Sequence, residues 1–347
     1  MLKFIGQIVL LVFVFFQINV SELIGQSLHQ ERIERPILSY STQSYYYEHL
    51  AEIDITGTGS GQVFGLPIDI INQERRIESR VEEELRDIQI EPVDIGLIFH
   101  ILYTNDSRIA ESVIQSQLEA LNRDFGIPEL SDGHVNDPRG EYLRISADTK
   151  IKFHLGDVPD TEIELQGVAQ LGNSRTQWSA YDAMKDPNRG GSKAIAPDRY
   201  LNIWVVDLAN ELQSYSTSAY FPDGLSGVVL DHRFFGEQRT TAHDYTQGKT
   251  LTHLIGSYLG LRELWSLIEE CGDDGVSDTP IHNTLNIGCP EYQHISMCGD
   301  GEIEMTMNFM DTSDDACKMM FTRGQVERMH AMIKVVYPSL PAQNLSE

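Results

Sequence analysis

The residues with the plainest chemical potential lie in one stretch, His253-Leu254-Ile255-Gly256-Ser257-Tyr258-Leu259-Gly260-Leu261-Arg262-Glu263. Zinc hydrolases of the pattern H-E-x-x-H-x-x-G-x-x-H set two His at i and i+4 on one helix face. A Gly then turns the chain so that a third ligand comes from below, and the Glu beside the first His takes a proton from the metal-bound water. Here the first His and the Gly are present, while Leu254 stands at the base position, Ser257 at the second ligand and Glu263 at the third. His253 and Glu263 are therefore the candidate zinc ligands, one nitrogen and one carboxylate, where catalytic zinc takes three protein ligands and a water. Leu254 cannot accept a proton, and a positioned base contributes ~10²–10⁴-fold in rate. The plainer reading makes His253 a semi-buried helix histidine bonded to Ser257 one turn on, and Glu263 a surface carboxylate. His232 and His243 have no metal-ligand spacing to His253 and read as surface residues.

The elements that must position these residues are legible from periodicity. Thr246 to Leu261 reads as a helix, because Leu251, Leu254, Ile255, Tyr258 and Leu259 form one apolar face and Gly260 is a natural stop. Ile95 to Tyr103, Ile151 to Leu155, Leu201 to Val206 and Gly227 to Leu230 read as strands. Ile109, Val113, Leu118, Leu121 and Phe125 mark a second amphipathic helix, ended by Gly126 and Pro128. A last helix spans about Arg323 to Val336, with Thr322 as its N-cap and Val326, Met329, His330 and Ile333 facing inward. Upstream, Gln73 to Asp87 looks helical through Ile77, Val81 and Leu85. The order strand, helix, strand, long loop, strand, strand, helix is mixed α+β.

Four cysteines, Cys271, Cys289, Cys298 and Cys317, cluster in the last quarter of the chain. An even, clustered set points to two disulfides, with three pairings open on spacing alone; the competing four-thiolate zinc site lacks a C-x-x-C. Met305, Met307, Met310, Met319 and Met320 read as core and turn packing. The chain has 347 residues and a formal net charge of −26, which disfavours nucleic-acid partners. Lys3 followed by the apolar run Phe4 to Val20 reads as a secretory signal peptide, with an uncleaved membrane anchor as the alternative; contact with a membrane is expected only in that case. Asn105-Asp106-Ser107 is a glycosylation sequon.

Several further motifs occur in order: Tyr200-Leu201-Asn202-Ile203-Trp204-Val205-Val206, Cys271-Gly272-Asp273-Asp274-Gly275-Val276-Ser277-Asp278-Thr279-Pro280, Gly288-Cys289-Pro290, Asn308-Phe309-Met310-Asp311, Asp314-Asp315-Ala316-Cys317 and Met320-Phe321-Thr322-Arg323-Gly324-Gln325. Over roughly residues 93 to 335 this set resembles the pappalysin family of metzincin metallopeptidases, the group of pregnancy-associated plasma protein A and its ulilysin-like relatives. The resemblance implies an α+β, metzincin-like zincin domain with a twisted mixed sheet, an active-site-type helix, a Met-turn at Met310 and a C-terminal subdomain stapled by Cys271–Cys298 and Cys289–Cys317. It also implies zinc as the family's metal and a calcium site in the acidic loop, with Asp274 and Thr279 as candidate ligands against the alternative of a solvated loop. Family members usually carry a Tyr after the Met-turn Asp to support the reaction intermediate; Thr312 stands there.

The expected organisation is a signal peptide at 1–26, an N-terminal extension or pro-segment at 27–92, a pappalysin-like domain at 93–340 and a tail at 341–347. Because the departures fall on chemical groups and spare the frame, the expected function is an exported, catalytically inactive homologue that binds a peptide or protein. The alternatives are a metalloendopeptidase with an atypical site using His253, Glu263 and a carboxylate such as Asp311, and a calcium-stabilised structural envelope protein.

Overall fold

The structure, a computed structural model, describes residues 39–40, 62–63, 66–104, 108–127, 142, 144–157, 167–172, 175–179, 182–209, 214–217, 225–237, 245–266, 271–291 and 293–341. The expected signal segment, the sequon at Asn105, His243 and nearly all of the tail lie outside these residues. The chain divides into two compact units, Met1–Pro36 and Ile37–Glu347, and every described residue belongs to the second.

The second unit is organised by strand β4 (Val93–Tyr103), buried without interruption from residue 95 to 102. An apolar run of this kind suits a strand covered on both faces. In chain order, β1 (Ser39–Tyr40), β2 (Gln62–Val63) and β3 (Leu66–Pro67) come first, and β5 (Ile151–Leu155), β6 (Val168–Gly172), β7 (Tyr200–Val206), β8 (Ser214–Thr217) and β9 (Gly227–Asp231) follow β4. β2 and β3 form a small hairpin of their own. In the main sheet, β5 and then β6 pair parallel along one side of β4, and β7 pairs parallel along the other. Beyond β7 come β9, then β8, then β1; β8 alone runs antiparallel to its neighbour β9, so the sheet is mixed. Strands β6 and β8 were not expected. β6 carries the polar and small residues Ala169, Gln170 and Gly172, and β8 reads Ser-Tyr-Ser-Thr, so neither shows the apolar signature of a buried strand.

The two sheet faces have separate cores, set by the alternation along β7. Leu201, Ile203 and Val205 face the larger core, which holds the helices, whereas Trp204 and Val206 face a smaller one made with Trp178, Met184, Leu208 and Tyr215. The long segment expected to be loop covers that second face with two short 3₁₀ turns. Buried His100 ties it down: its ring stacks on Trp204 at 4.8 Å, and its nitrogens hydrogen-bond Ser192 Oγ at 2.7 Å and Asn202 Oδ1 at 2.8 Å.

Four helices are described. α1 (Ile68–Glu84) precedes β4, α2 (Glu111–Asp124) follows it, α3 (Lys249–Tyr258) carries His253, and α4 (Arg323–Val336) is last. The inward face of α2 centres on Ile114, Gln117, Ala120 and Leu121, a rotation from the expected one; Val113 and Leu118 flank it partly buried. α3 is shorter than expected. It begins after Gly248, whose φ of 74° no other residue adopts easily, and ends at Tyr258. α4 matches its expected bounds, and Thr322 forms a full capping box with Gln325. Both disulfides form with the pairing that the resemblance implied, Cys271–Cys298 and Cys289–Cys317. Among the described residues no helix is long and apolar enough to cross a membrane.

The segment before β4 packs on the rest of the unit. Val81 is buried, Lys334 pairs with Glu84, and one guanidinium nitrogen of Arg328 reaches both oxygens of Glu78 at 2.8 Å. Arg328 also donates to the Gly260 carbonyl at 2.7 Å, so α1 is linked through it to the turn that ends α3. Charge-assisted bonds of this kind contribute about 1.5–3 kcal/mol each. Glu78→Ala is expected to lower the free energy of unfolding by about 1–3 kcal/mol in denaturant titration; an unchanged midpoint would show that α1 is held without this pair.

Candidate functional site

α3 has no solvent face. All ten of its residues are buried, including Lys249, Thr252, His253 and Ser257. Its start is anchored by Lys249 Nζ, which donates to the carbonyls of Asp315 and Lys318 at 2.7 Å each, and by Thr252 Oγ1, which donates to Asp124 Oδ2 at 2.7 Å. Its far end turns at Gly260, where φ is 90° and a Cβ would lie 2.4 Å from Met332. That turn brings Glu263 back beneath the helix.

There the His253 imidazole sits between two acceptors. Nδ1–H donates to the Phe309 carbonyl at 2.8 Å, and Nε2 lies 3.0 Å from Glu263 Oε1. His253 is 1% and Glu263 9% exposed, so Glu263 is a buried partner of the imidazole and not the surface carboxylate expected. The expected bond from His253 to Ser257 is not formed: the imidazole is taken by Phe309 and Glu263, and Ser257 Oγ is buried without a hydrogen-bond partner, as is Glu263 Oε2. Met310 lies fully buried under the helix, and a Cβ on Gly256 would stand 2.7 Å from its sulfur. The structure thus brings His253 and Glu263 together beside Met310, the residue that the resemblance placed at the Met-turn.

Zinc does not fit this donor set. Catalytic zinc takes three protein ligands and a water, whereas His253 Nε2 and Glu263 Oε1 are two candidate ligand atoms that face each other at hydrogen-bond distance, 3.0 Å. The second-ligand position offers only the neutral hydroxyl of Ser257, and the base position offers Leu254, a fully buried member of the main core. Among the described residues no group of three or more His, Cys, Asp or Glu side chains is placed to hold a metal ion. His232 is half-exposed and pairs with Asp231 at 3.4 Å, away from this cluster's hydrogen bonds.

Beyond Met310 the chain is heavily buried and polar. Thr312, at the position of the family's Tyr, donates its hydroxyl to the Asn286 carbonyl at 2.8 Å, so it is committed to structure. Asn286 Nδ2 in turn donates to Glu304 Oε2 at 3.0 Å, and the Asn283 amide donates to Glu304 Oε1 at 2.7 Å. His282 and His294 lie 3.8 and 3.7 Å from Glu304 Oε2. Sequence reading missed this cluster because its spacing matches no ligand or catalytic motif; the Phe309 carbonyl was missed because a main-chain acceptor leaves no residue-type signal.

The acidic loop is part solvated and part buried: Asp273 is exposed and Asp278 and Thr279 are half-buried. Asp274 is buried; its Oδ1 accepts from the Val276 amide at 3.0 Å and from the Thr279 hydroxyl at 2.5 Å, while its Oδ2 is buried without a partner. Burial pushes its carboxyl up to about 6, with the Thr279 hydroxyl and Val276 amide opposing. Asp274 and Thr279 are therefore brought together, with the Val276 carbonyl 2.7 Å from Thr279 Oγ1.

Asp311 is the most perturbed carboxyl around the turn. Complete burial raises it to about 7, and the Thr312 amide and Asn286 lower it only in part; neither oxygen makes a hydrogen bond of normal geometry. A folded-state value above the unfolded 3.8 means that the native state binds the extra proton, so this group's contribution to stability is full at low pH and is lost as pH rises through about 7. Asp311→Asn is expected to flatten the decline of stability between about pH 4 and 7 in urea melts. An unchanged pH slope would contradict the assignment.

A peptidase family model described as pregnancy-associated plasma protein-A matches residues 191–334. Extracellular metalloprotease 1 of Coccidioides posadasii is 39% identical over 254 residues, covering 70% of this chain and 77% of that protein. An extracellular metalloprotease of Arthroderma gypseum is 34% identical over 254 residues, covering 69% and 72%. Among solved structures, a mutant of Tannerella forsythia promirolysin aligns with a TM-score of 0.69 and 27% identity over 84% of this chain and 92% of its own. Mature mirolysin in complex with a cleaved peptide aligns with a TM-score of 0.64 and 29% identity over 73% of this chain and 99% of its own.

Proposed function

The chain belongs to the pappalysin family of zinc-dependent metallopeptidases, and from that premise we propose that it is an exported, catalytically silent member that binds a peptide or protein segment. The observation that carries this reading is the state of His253: its metal-side nitrogen is bonded to Glu263, in a site with Leu254 as base and Ser257 as second ligand. Export is supported by the relatives, which are named extracellular metalloproteases. Peptide binding is supported by the solved relative that holds a cleaved peptide, and by the sheet edge, where β8 already pairs with the extended segment Ser39–Tyr40. Main-chain pairing along such an edge is a common mode of peptide recognition. The pro-form of mirolysin covers more of this chain than the mature form does, which supports reading the N-terminal extension as a counterpart of a pro-segment.

The test is metal analysis and a broad peptidase assay on the purified chain. Wild type is expected to carry no stoichiometric zinc and to cleave nothing, while Ser257→His with Glu263→His, which rebuilds the three-imidazole pattern, is expected to take up about one zinc per chain and melt several degrees higher with it. Stoichiometric zinc in wild type together with chelator-sensitive cleavage would establish the atypical metalloendopeptidase instead.

Calcium is proposed for the acidic loop. The unpartnered Asp274 Oδ2, the Thr279 hydroxyl and the Val276 carbonyl form the oxygen donor set that a hard cation prefers. Millimolar calcium is expected to raise the melting temperature by a few degrees and to lose that effect in Asp274→Asn; equal melts with calcium and with chelator would remove calcium from the account.

A further inference from the structure

We infer that the His253–Glu263 hydrogen bond has taken over the mechanical task of a metal ion, stapling α3 to the turn that returns beneath it, while the other nitrogen of the same imidazole fastens the Met-turn. The inference rests on the reading that this chain holds no zinc there. A metal bound by residues distant in sequence acts as a cross-link, and its binding energy is folding energy. In this chain the segments to be joined are α3, the turn through Gly260 to Glu263, and the Met-turn at Phe309–Met310.

His253 contacts both of the others. The Phe309 carbonyl can only accept, so Nδ1 carries a proton and that bond fastens α3 to the Met-turn. One proton then lies on the line from Nε2 to Glu263 Oε1, whichever atom holds it, and that bond fastens α3 to the returning turn. The same Gly260 carbonyl region is gripped by Arg328, so the turn that delivers Glu263 is held from outside as well. Both members of the pair are buried, and removing one member of a buried polar pair strands the other without water.

Ser257 takes no part. Its hydroxyl is buried without a partner, so deleting it removes an unsatisfied group and breaks nothing. Gln at 263 can still place a hydrogen bond on the line to Nε2, by its carbonyl or by its amide. This separates a hydrogen-bond staple from a metal ligand set, in which Ser257 and the Glu263 carboxylate would both matter.

Thermal melts of the full chain in calcium-containing buffer, with and without 1,10-phenanthroline, test the inference. Wild type is expected to be indifferent to the chelator. Glu263→Ala and His253→Ala are each expected to lose on the order of 10 °C, Glu263→Gln to retain more than half of that, and Ser257→Ala to melt at or above wild type. A wild-type melt lowered by phenanthroline overturns the staple and the non-catalytic reading together. A Glu263→Ala melt within about a degree of wild type, or a Glu263→Gln loss equal to that of Ala, overturns the staple alone. If the Ala variants yield no folded protein, Glu263→Gln and the chelator arm decide: a wild-type-like Glu263→Gln that ignores the chelator supports the staple, and a collapse on either count overturns it.

Discussion

A helix buried on every side must satisfy every polar group it carries without help from bulk water, and that constraint on α3 governs the centre of this molecule. Its apolar residues enter the main core through Leu251, Leu254, Ile255 and Tyr258. Three of its polar residues are met by specific partners from distant parts of the chain: Lys249 by main-chain carbonyls beyond the Met-turn, Thr252 by Asp124 of α2, His253 by Phe309 and Glu263. Ser257 is the exception. Burying a polar group is costly unless it is hydrogen-bonded, so these partners fix where α2, the post-helix turn and the Met-turn sit. A metal centre would meet the same constraint by coordination; here His253 is met by two hydrogen bonds.

The sheet and the C-terminal subdomain serve the same geometry from two sides. β4 and β7 supply a rigid, doubly covered platform, and His100 with Ser192 and Asn202 keeps the long loop on its far face. The two disulfides and the Glu304 cluster hold the chain that leads into and out of the Met-turn, so that the Phe309 carbonyl is presented to His253 from a fixed position. The acidic loop and α1 are attached more peripherally, through Asp274 and through Glu78.

Much of this was legible in the sequence where one signal dominates. β4 and β7 announce themselves by apolar runs, α4 by Thr322 and its periodic face, and the frame by its cysteines and glycines. The misses have physical causes. β6 and β8 are sheet members by main-chain pairing, and their side chains say little. The start of α3 is set by the positive φ of Gly248 and by Lys249, not by the apolar stripe that suggested Thr246. The role of Glu263 was misread because a carboxylate three residues after a Gly is ordinarily solvated; it is buried here because the turn at Gly260 folds it under the helix, a tertiary event that local pattern does not carry. His253 and Glu263 do come together in the fold, but what their side chains do to one another was not legible.

Gly256 shows how a position can be constrained by packing alone. A single added carbon there would meet the Met310 sulfur at 2.7 Å, well inside contact distance, so any side chain at that position would push the buried thioether aside. Gly256 is therefore constrained by the packing of its neighbours rather than by chemistry. The outline of the family is thus kept by contacts that involve no reactive group, which is why the frame can be recognised whatever stands at positions 254, 257 and 263.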